Sequence, residues 1–246
     1  MGKEGESVTF RSGPDWIRGY LARPEGQGPF PALVVIHEIH GFTDHFRDVA
    51  RRFAANGYVG LAPDLYSREG PPGPQALKDP PARNAFIASL PDRRLVGDVQ
   101  AAVGFLRTLP EVRRDRVGVV GFCMGGTVTL LSACRTPDLA AAVVFYGGRL
   151  IYKEITENKP ASPVDLVGHI RCPILCLYAG ADASVPLPDI ERLRESLESH
   201  RKAFEFTIYP GAPHAFFNDT REFYRPDEAA AAWQRTLAFL EKHLRR

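Results

Sequence analysis

Nowhere in the 246 residues does an apolar run approach the ~20 residues of a membrane span. The first ten residues, MGKEGESVTF, are charged where a secretory leader would be apolar. The expectation is a soluble, cytoplasmic protein. Charge of one sign is also missing: 31 Lys and Arg stand against 29 Asp and Glu, a formal net charge of +2, with no basic stretch concentrated enough to track a phosphate backbone. Neither nucleic acid nor a membrane is an expected partner. Cysteine is scarce, with four residues at 123, 134, 172 and 176, all in apolar or strand-like surroundings. They read as reduced thiols and not as a disulfide scaffold. Cys172 and Cys176 miss the C-x-x-C spacing of a zinc ligand pair, and CPILCLYAG around them reads as a buried strand. A Walker motif, a dinucleotide fingerprint after the first strand and a cluster of metal ligands are all absent, so no cofactor and no metal are expected. Repeats, coiled coil and low-complexity tails are lacking too. What remains is a chain of 44% hydrophobic content, enough to bury a full core as one α/β domain over 1–246.

Short apolar runs rich in β-branched residues recur between Gly, Pro and Asp. PALVVIHE (31–38), YVGLAPDLY (58–66), RVGVVGFC (116–123), AAAVVFYG (140–147), CPILCLYAG (172–180) and FEFTIYPG (204–211) predict six strands, apolar throughout and so covered on both faces. Between them HFRDVARRFAANG, RRLVGDVQAAVGFLRTL, GGTVTLLSACR and DIERLRESLESH have helical spacing, and DEAAAAWQRTLAFLEKHL closes the chain. The order predicts a mostly parallel sheet with helices on both faces. ESVTFRS and DWIRGYLARPE alternate well enough to add an antiparallel ribbon at one edge, for eight strands in all. Residues 67–92 break the pattern with many prolines and few periodic apolar positions, and read as a floppy insertion or a lid over a site.

The chemistry centres on VGVVGFCMGG (117–126), where Gly121, Cys123 and Gly125 form G-x-C-x-G between a buried strand and a helix. This is a nucleophile elbow with cysteine in the usual place of serine, which implies the α/β-hydrolase fold. The tight turn calls for glycines at its flanks and lifts Cys123 above the sheet edge at a helix N-terminus. There the helix dipole favours a thiolate, and the Met124 N–H can donate to an oxyanion. Asp182 in YAGADASVP and His214 in YPGAPHAFF stand in loops at the carboxyl ends of the next strands, so nucleophile, acid and histidine follow the chain order of that fold's triad. HEIHGF (37–42) follows the strand PALVVI; its histidines are three apart at a strand end, not in the H-E-x-x-H helix of a zinc protease. In the hydrolase reading this loop supplies the second oxyanion donor, the Ile39 N–H, and sets Glu38 beside the nucleophile, while His37 and His40 read as ordinary loop residues.

HEIHGF, GYVGLAPDLY, VGVVGFCMGG, AGADASVP and GAPHAFF, in this order and at these intervals, make the chain resemble the dienelactone hydrolase (carboxymethylenebutenolidase) family over nearly its whole length. The resemblance implies Cys123, His214 and Asp182 as the triad and Glu38 as the residue that holds and activates the cysteine. It also implies a small-molecule ester or lactone as the partner, cleaved through an acyl-enzyme.

The family's members that open anionic dienelactones carry a serine directly after the histidine and an arginine a few residues later. Here Ala215 and Asn218 stand at those places. Arg83 in PPARNAF and Arg149 after FYGG are the candidate replacements for binding a substrate carboxylate. Without a bidentate anchor, neutral esters are favoured. Phe122, Tyr146, Phe216 and Phe217 are candidates for an apolar pocket wall or for core packing. On the same triad a promiscuous esterase, thioesterase or organophosphate hydrolase is the alternative; a non-catalytic binding module has no need of both Cys123 and His214. Oligomeric state and the physiological substrate are not readable from one sequence.

Overall fold

The structure is a computed structural model, and residues 4–245 are described. β1 (Glu6–Ser12) and β2 (Asp15–Ala22) form the antiparallel ribbon, with Phe10 opposite Ile17. β3 (Phe30–Ile36), β4 (Val59–Pro63), β5 (Val112–Phe122), β6 (Ala141–Phe145), β7 (Ile174–Ala179) and β8 (Phe204–Tyr209) complete one eight-stranded sheet. Its order is β1-β2-β4-β3-β5-β6-β7-β8, antiparallel through β2–β4 and parallel from β4 to β8. All eight strands fall where the sequence predicts them, in an α/β-hydrolase architecture.

Period-two alternation sorts the apolar strand residues between two layers. In β3, Ala32, Val34 and Ile36 join the layer under α4 (Asp92–Thr108), α5 (Met124–Arg135) and α6 (Leu187–Ser199). Leu33 and Val35 join the layer under α1 (Asp44–Ala55) and α7 (Pro226–Leu240). Residues 67–92 hold two short helices, α2 (Pro74–Lys78) and α3 (Pro80–Ser89). α3 is fastened to the rest of the molecule. Phe86 meets the Tyr66 ring edge-on at 5.3 Å, Asn84 accepts from Arg149 at 2.7 Å, and the carbonyls of Ala88 and Ser89 each accept from Asn158 at 3.3 Å.

The parallel registers place the site. Ile36 pairs with Gly121, Phe122 with Phe145, Phe145 with Leu177 and Ala179 with Tyr209, so five neighbouring strands end close to level. The segments that follow, bearing Glu38, Cys123, Tyr146, Asp182 and His214, therefore open on one edge. No helix among the described residues is long and apolar enough to cross a membrane.

Candidate active site

Cys123 caps α5 with φ 55 and ψ −117, a conformation that side chains avoid and that an elbow imposes. Its N–H is fixed to the Phe145 carbonyl at 3.0 Å, and its own carbonyl accepts from Gly126 and Thr127 at 2.9 and 3.2 Å. The flanking glycines have no room to be anything else. A Cβ at Gly125 would sit 2.5 Å from the Ile36 carbonyl, and one at Gly126 would sit 2.7 Å from that of Phe145. The other three cysteines are buried free thiols: burial pushes Cys134 up to about 12 and Cys172 up to about 11, and Cys176 is raised by the same cause.

His214 is in hydrogen-bond contact with the Cys123 side chain, and its Nδ1 lies 2.6 Å from Asp182 Oδ2. Asp182 Oδ1 is held in turn by the N–H groups of Ser184 and Val185, at 2.7 and 3.2 Å. Burial alone would lower the His214 pKa, but Cys123 and Asp182 together outweigh it and hold the imidazole well above its ordinary value. The arrangement favours the imidazolium form of His214.

Glu38 is 2% exposed. Its Oε1 accepts from the Tyr146 hydroxyl at 3.3 Å and its Oε2 from Asn218 Nδ2 at 3.0 Å; among the described residues no hydrogen bond joins it to Cys123. Burial raises its pKa, opposed by the Asn218 hydrogen bond, the charges of His214 and Arg221, and the Tyr146 hydroxyl. Tyr146, at φ 37, also meets the His214 ring edge-on at 5.3 Å, so one side chain touches both groups. His37 is fully buried and neutral: its Nδ1 lies 2.7 Å from the Glu38 carbonyl, and its Nε2 accepts from Leu65 N–H at 3.1 Å. It pins the backbone that carries Glu38 and Ile39.

The N–H groups of Ile39 and Met124 meet no protein acceptor among the described residues. Tyr66, unnoticed in the sequence, reaches both of these residues: its hydroxyl lies 3.3 Å from the Ile39 carbonyl and 3.0 Å from Met124 Sδ. Phe122 and Phe216 are fully buried and Phe217 nearly so. Their rings pack on neighbours in the core, Phe122 on Phe145 at 4.5 Å and Phe216 on Tyr209 at 5.2 Å, and not on an open pocket.

Arg83 on α3 and Arg149 lie within electrostatic reach of one another, and Arg149 also within reach of Cys123. Arg221, absent from the sequence reading, acts with Arg83 on His40, which burial and these two cations hold down at about 4. Among the described residues none of the three arginines is within ion-pair distance of a carboxylate, and Arg221 Nε is buried without a partner.

A strand-end cysteine on a strained elbow, a histidine between it and a buried aspartate, and free N–H groups beside them define an α/β hydrolase that acts on lactone or ester bonds. Comparison with known proteins narrows the class. The model of the dienelactone hydrolase family matches residues 17–244, and the chain belongs to that family. It is 40% identical over 225 residues to "Probable 2-oxo-3-(5-oxofuran-2-ylidene)propanoate lactonase" of Bradyrhizobium sp, covering 92% of this chain and 89% of the relative. It is 37% identical over 238 residues to "Putative carboxymethylenebutenolidase" of Escherichia coli strain K12, covering 96% and 86%. Among solved structures, "Putative Dienelactone Hydrolase" from Klebsiella pneumoniae subsp. pneumoniae superposes with a TM-score of 0.89 at 34% identity, over 97% of this chain and 98% of the other. A dienelactone hydrolase-like promiscuous phosphotriesterase, P91, shares the fold with a TM-score of 0.83 at 22% identity.

Proposed function

We propose that the protein hydrolyses anionic lactones or esters through a Cys123–His214–Asp182 triad and an acyl-cysteine intermediate. The observation that carries this is His214 held between Cys123 and the Asp182 carboxylate, 2.6 Å from the latter. The Cys123 thiol gives its proton to His214, and the thiolate attacks the carbonyl carbon. The N–H groups of Ile39 and Met124 receive the oxyanion. Collapse breaks the ester bond, and the imidazolium returns the proton to the leaving oxygen. Water, deprotonated by His214, then attacks the thioester and frees Cys123, while Asp182 keeps the imidazole oriented. Glu38, within electrostatic reach of His214, in its ionised form favours the imidazolium that the first proton transfer creates, and so activates the cysteine.

Arg83, Arg149 and Arg221 supply the anchor that Ala215 and Asn218 do not, which turns the preference from neutral to anionic substrates. The relative from Bradyrhizobium sp is named for a propanoate lactone, an anion of this kind. The test compares kcat/KM for cis-dienelactone and for p-nitrophenyl acetate. Cys123→Ala is expected to lose both activities. Arg83→Gln or Arg149→Gln should cost the lactone roughly 10- to 100-fold, the worth of a charge-assisted hydrogen bond, and the neutral ester about threefold or less. Activity surviving in Cys123→Ala defeats the mechanism; equal losses on the two substrates defeat the anion site.

A further inference from the structure

Asn218 follows His214 by one loop and is 2% exposed, with both ends of its amide engaged. Its Oδ1 accepts from the Thr220 N–H at 3.1 Å and from the Thr220 hydroxyl at 2.7 Å. Two donors on one end leave the amide a single sensible orientation, with its NH2 group turned to Glu38 Oε2 at 3.0 Å. The other oxygen of Glu38 meets the Tyr146 hydroxyl at 3.3 Å. The remaining polar group close to the carboxyl is His40, whose Nδ1 is 3.9 Å from Oε2. Glu38 is thus a buried carboxyl gripped by two neutral donors, with the charges of His214 and Arg221 acting from further off.

We propose that Asn218, locked by Thr220, is a positioning residue that holds Glu38 in place and sets the pH range over which the Cys123–His214 pair works. The inference rests on the reading above that ionised Glu38 supports the imidazolium. A neutral donor steadies a carboxylate without cancelling its charge, so the negative charge stays available to His214. Burial already favours the protonated acid, and of the influences that oppose burial the Asn218 hydrogen bond is the largest. Without that bond Glu38 keeps its proton to higher pH, and the acidic limb of the rate profile moves up with it.

The experiment measures kcat/KM for p-nitrophenyl acetate from about pH 5 to about pH 9 for the wild type, Asn218→Leu, Thr220→Val and Glu38→Gln. Asn218→Leu fills the same space without a donor. It is expected to lose about tenfold near pH 6 and to return to within about threefold of wild type near pH 9. Thr220→Val keeps the backbone N–H but frees the amide to turn, and should give a shift of the same sign, about threefold near pH 6. A profile that keeps the wild-type shape in both variants, whether or not scaled down evenly, overturns the proposal, because a packing role lowers rate at every pH alike. If Asn218→Leu does not fold, an unmoved profile in Thr220→Val overturns it. Glu38→Gln separates this failure from a deeper one. If it matches the wild type, the role assigned to Glu38 falls and Asn218 falls with it; if it is impaired while the other two profiles keep their shape, only the inference about Asn218 falls.

Discussion

Tyr66 is fully buried, and burial raises its pKa, so the hydroxyl stays protonated and available as a donor. It touches the Ile39 carbonyl at 3.3 Å and Met124 Sδ at 3.0 Å, so a single side chain spaces the two residues whose N–H groups are proposed to receive the oxyanion. Removing an oxyanion donor itself costs about 10²–10³ in kcat; a group that only holds the donors should cost less. Tyr66→Phe is therefore expected to lower kcat about tenfold with KM within about twofold and the near-UV circular dichroism unchanged. An unaltered kcat means that the two loops hold their spacing without the hydroxyl. The sequence exposes Cys123, Asp182 and His214 because each sits inside a local motif and the three keep a fixed chain order. Tyr66, Asn218 and Arg221 carry no such mark. Tyr66 meets its partners across 27 and 58 residues and Asn218 meets Glu38 across 180, so their roles exist only once the sheet has assembled.

At the scale of the element, the elbow is where geometry leaves least freedom. Gly126 lies in the first turn of α5 against β6, and a Cβ there would stand 2.7 Å from the Phe145 carbonyl and 2.8 Å from Gly147 Cα. Both obstacles are backbone, so relief requires α5 to back away from the sheet and to carry Cys123 with it. Gly126→Ala is expected to cost about 1–3 kcal/mol by overpacking. In a chain of this size that is a fall in Tm of about 2–4 °C per kcal/mol, accompanied by loss of esterase activity. A variant with wild-type Tm and activity shows that the helix can shift freely. The eight strands were readable because apolar runs buried on both faces look like little else. The helices of 67–92 were not, because their prolines read as breakers. In the structure Pro74 opens α2, and Pro80 and Pro81 open α3 behind Asp79, whose side chain accepts from the Ala82 N–H at 3.2 Å. A proline in the first turn lacks only an N–H that had no helical partner to lose.

Over the whole molecule, conformational cost is concentrated at one edge of the sheet. Of the five non-glycine residues with positive φ among the described residues, all but Arg201 stand around the site, Cys123 at 55, Tyr146 at 37, Arg149 at 49 and Ala215 at 61, and the sheet and its two helical layers hold them there. Glu38 adds a buried carboxyl to the same edge. Burial sets its pKa in the fold above that of the unfolded chain, so at low pH both states hold the proton and the residue is neutral for stability. As pH rises past the unfolded value, only the unfolded chain ionises freely, and the folded state loses stability until its own raised pKa is passed. A glutamine has no proton to lose, and its amide can still meet the Tyr146 hydroxyl and Asn218. Glu38→Gln should therefore melt at the same temperature as the wild type near pH 4, and above it near pH 7.5, by about 2–4 °C for each kcal/mol recovered. The same variant should lose hydrolytic activity at the higher pH, since the charge that destabilises the fold is the one proposed to support the His214 imidazolium. Thermal melts at the two pH values decide the matter: a gain of equal size at both would trace to packing, and a loss at the higher pH would show that ionised Glu38 stabilises the fold.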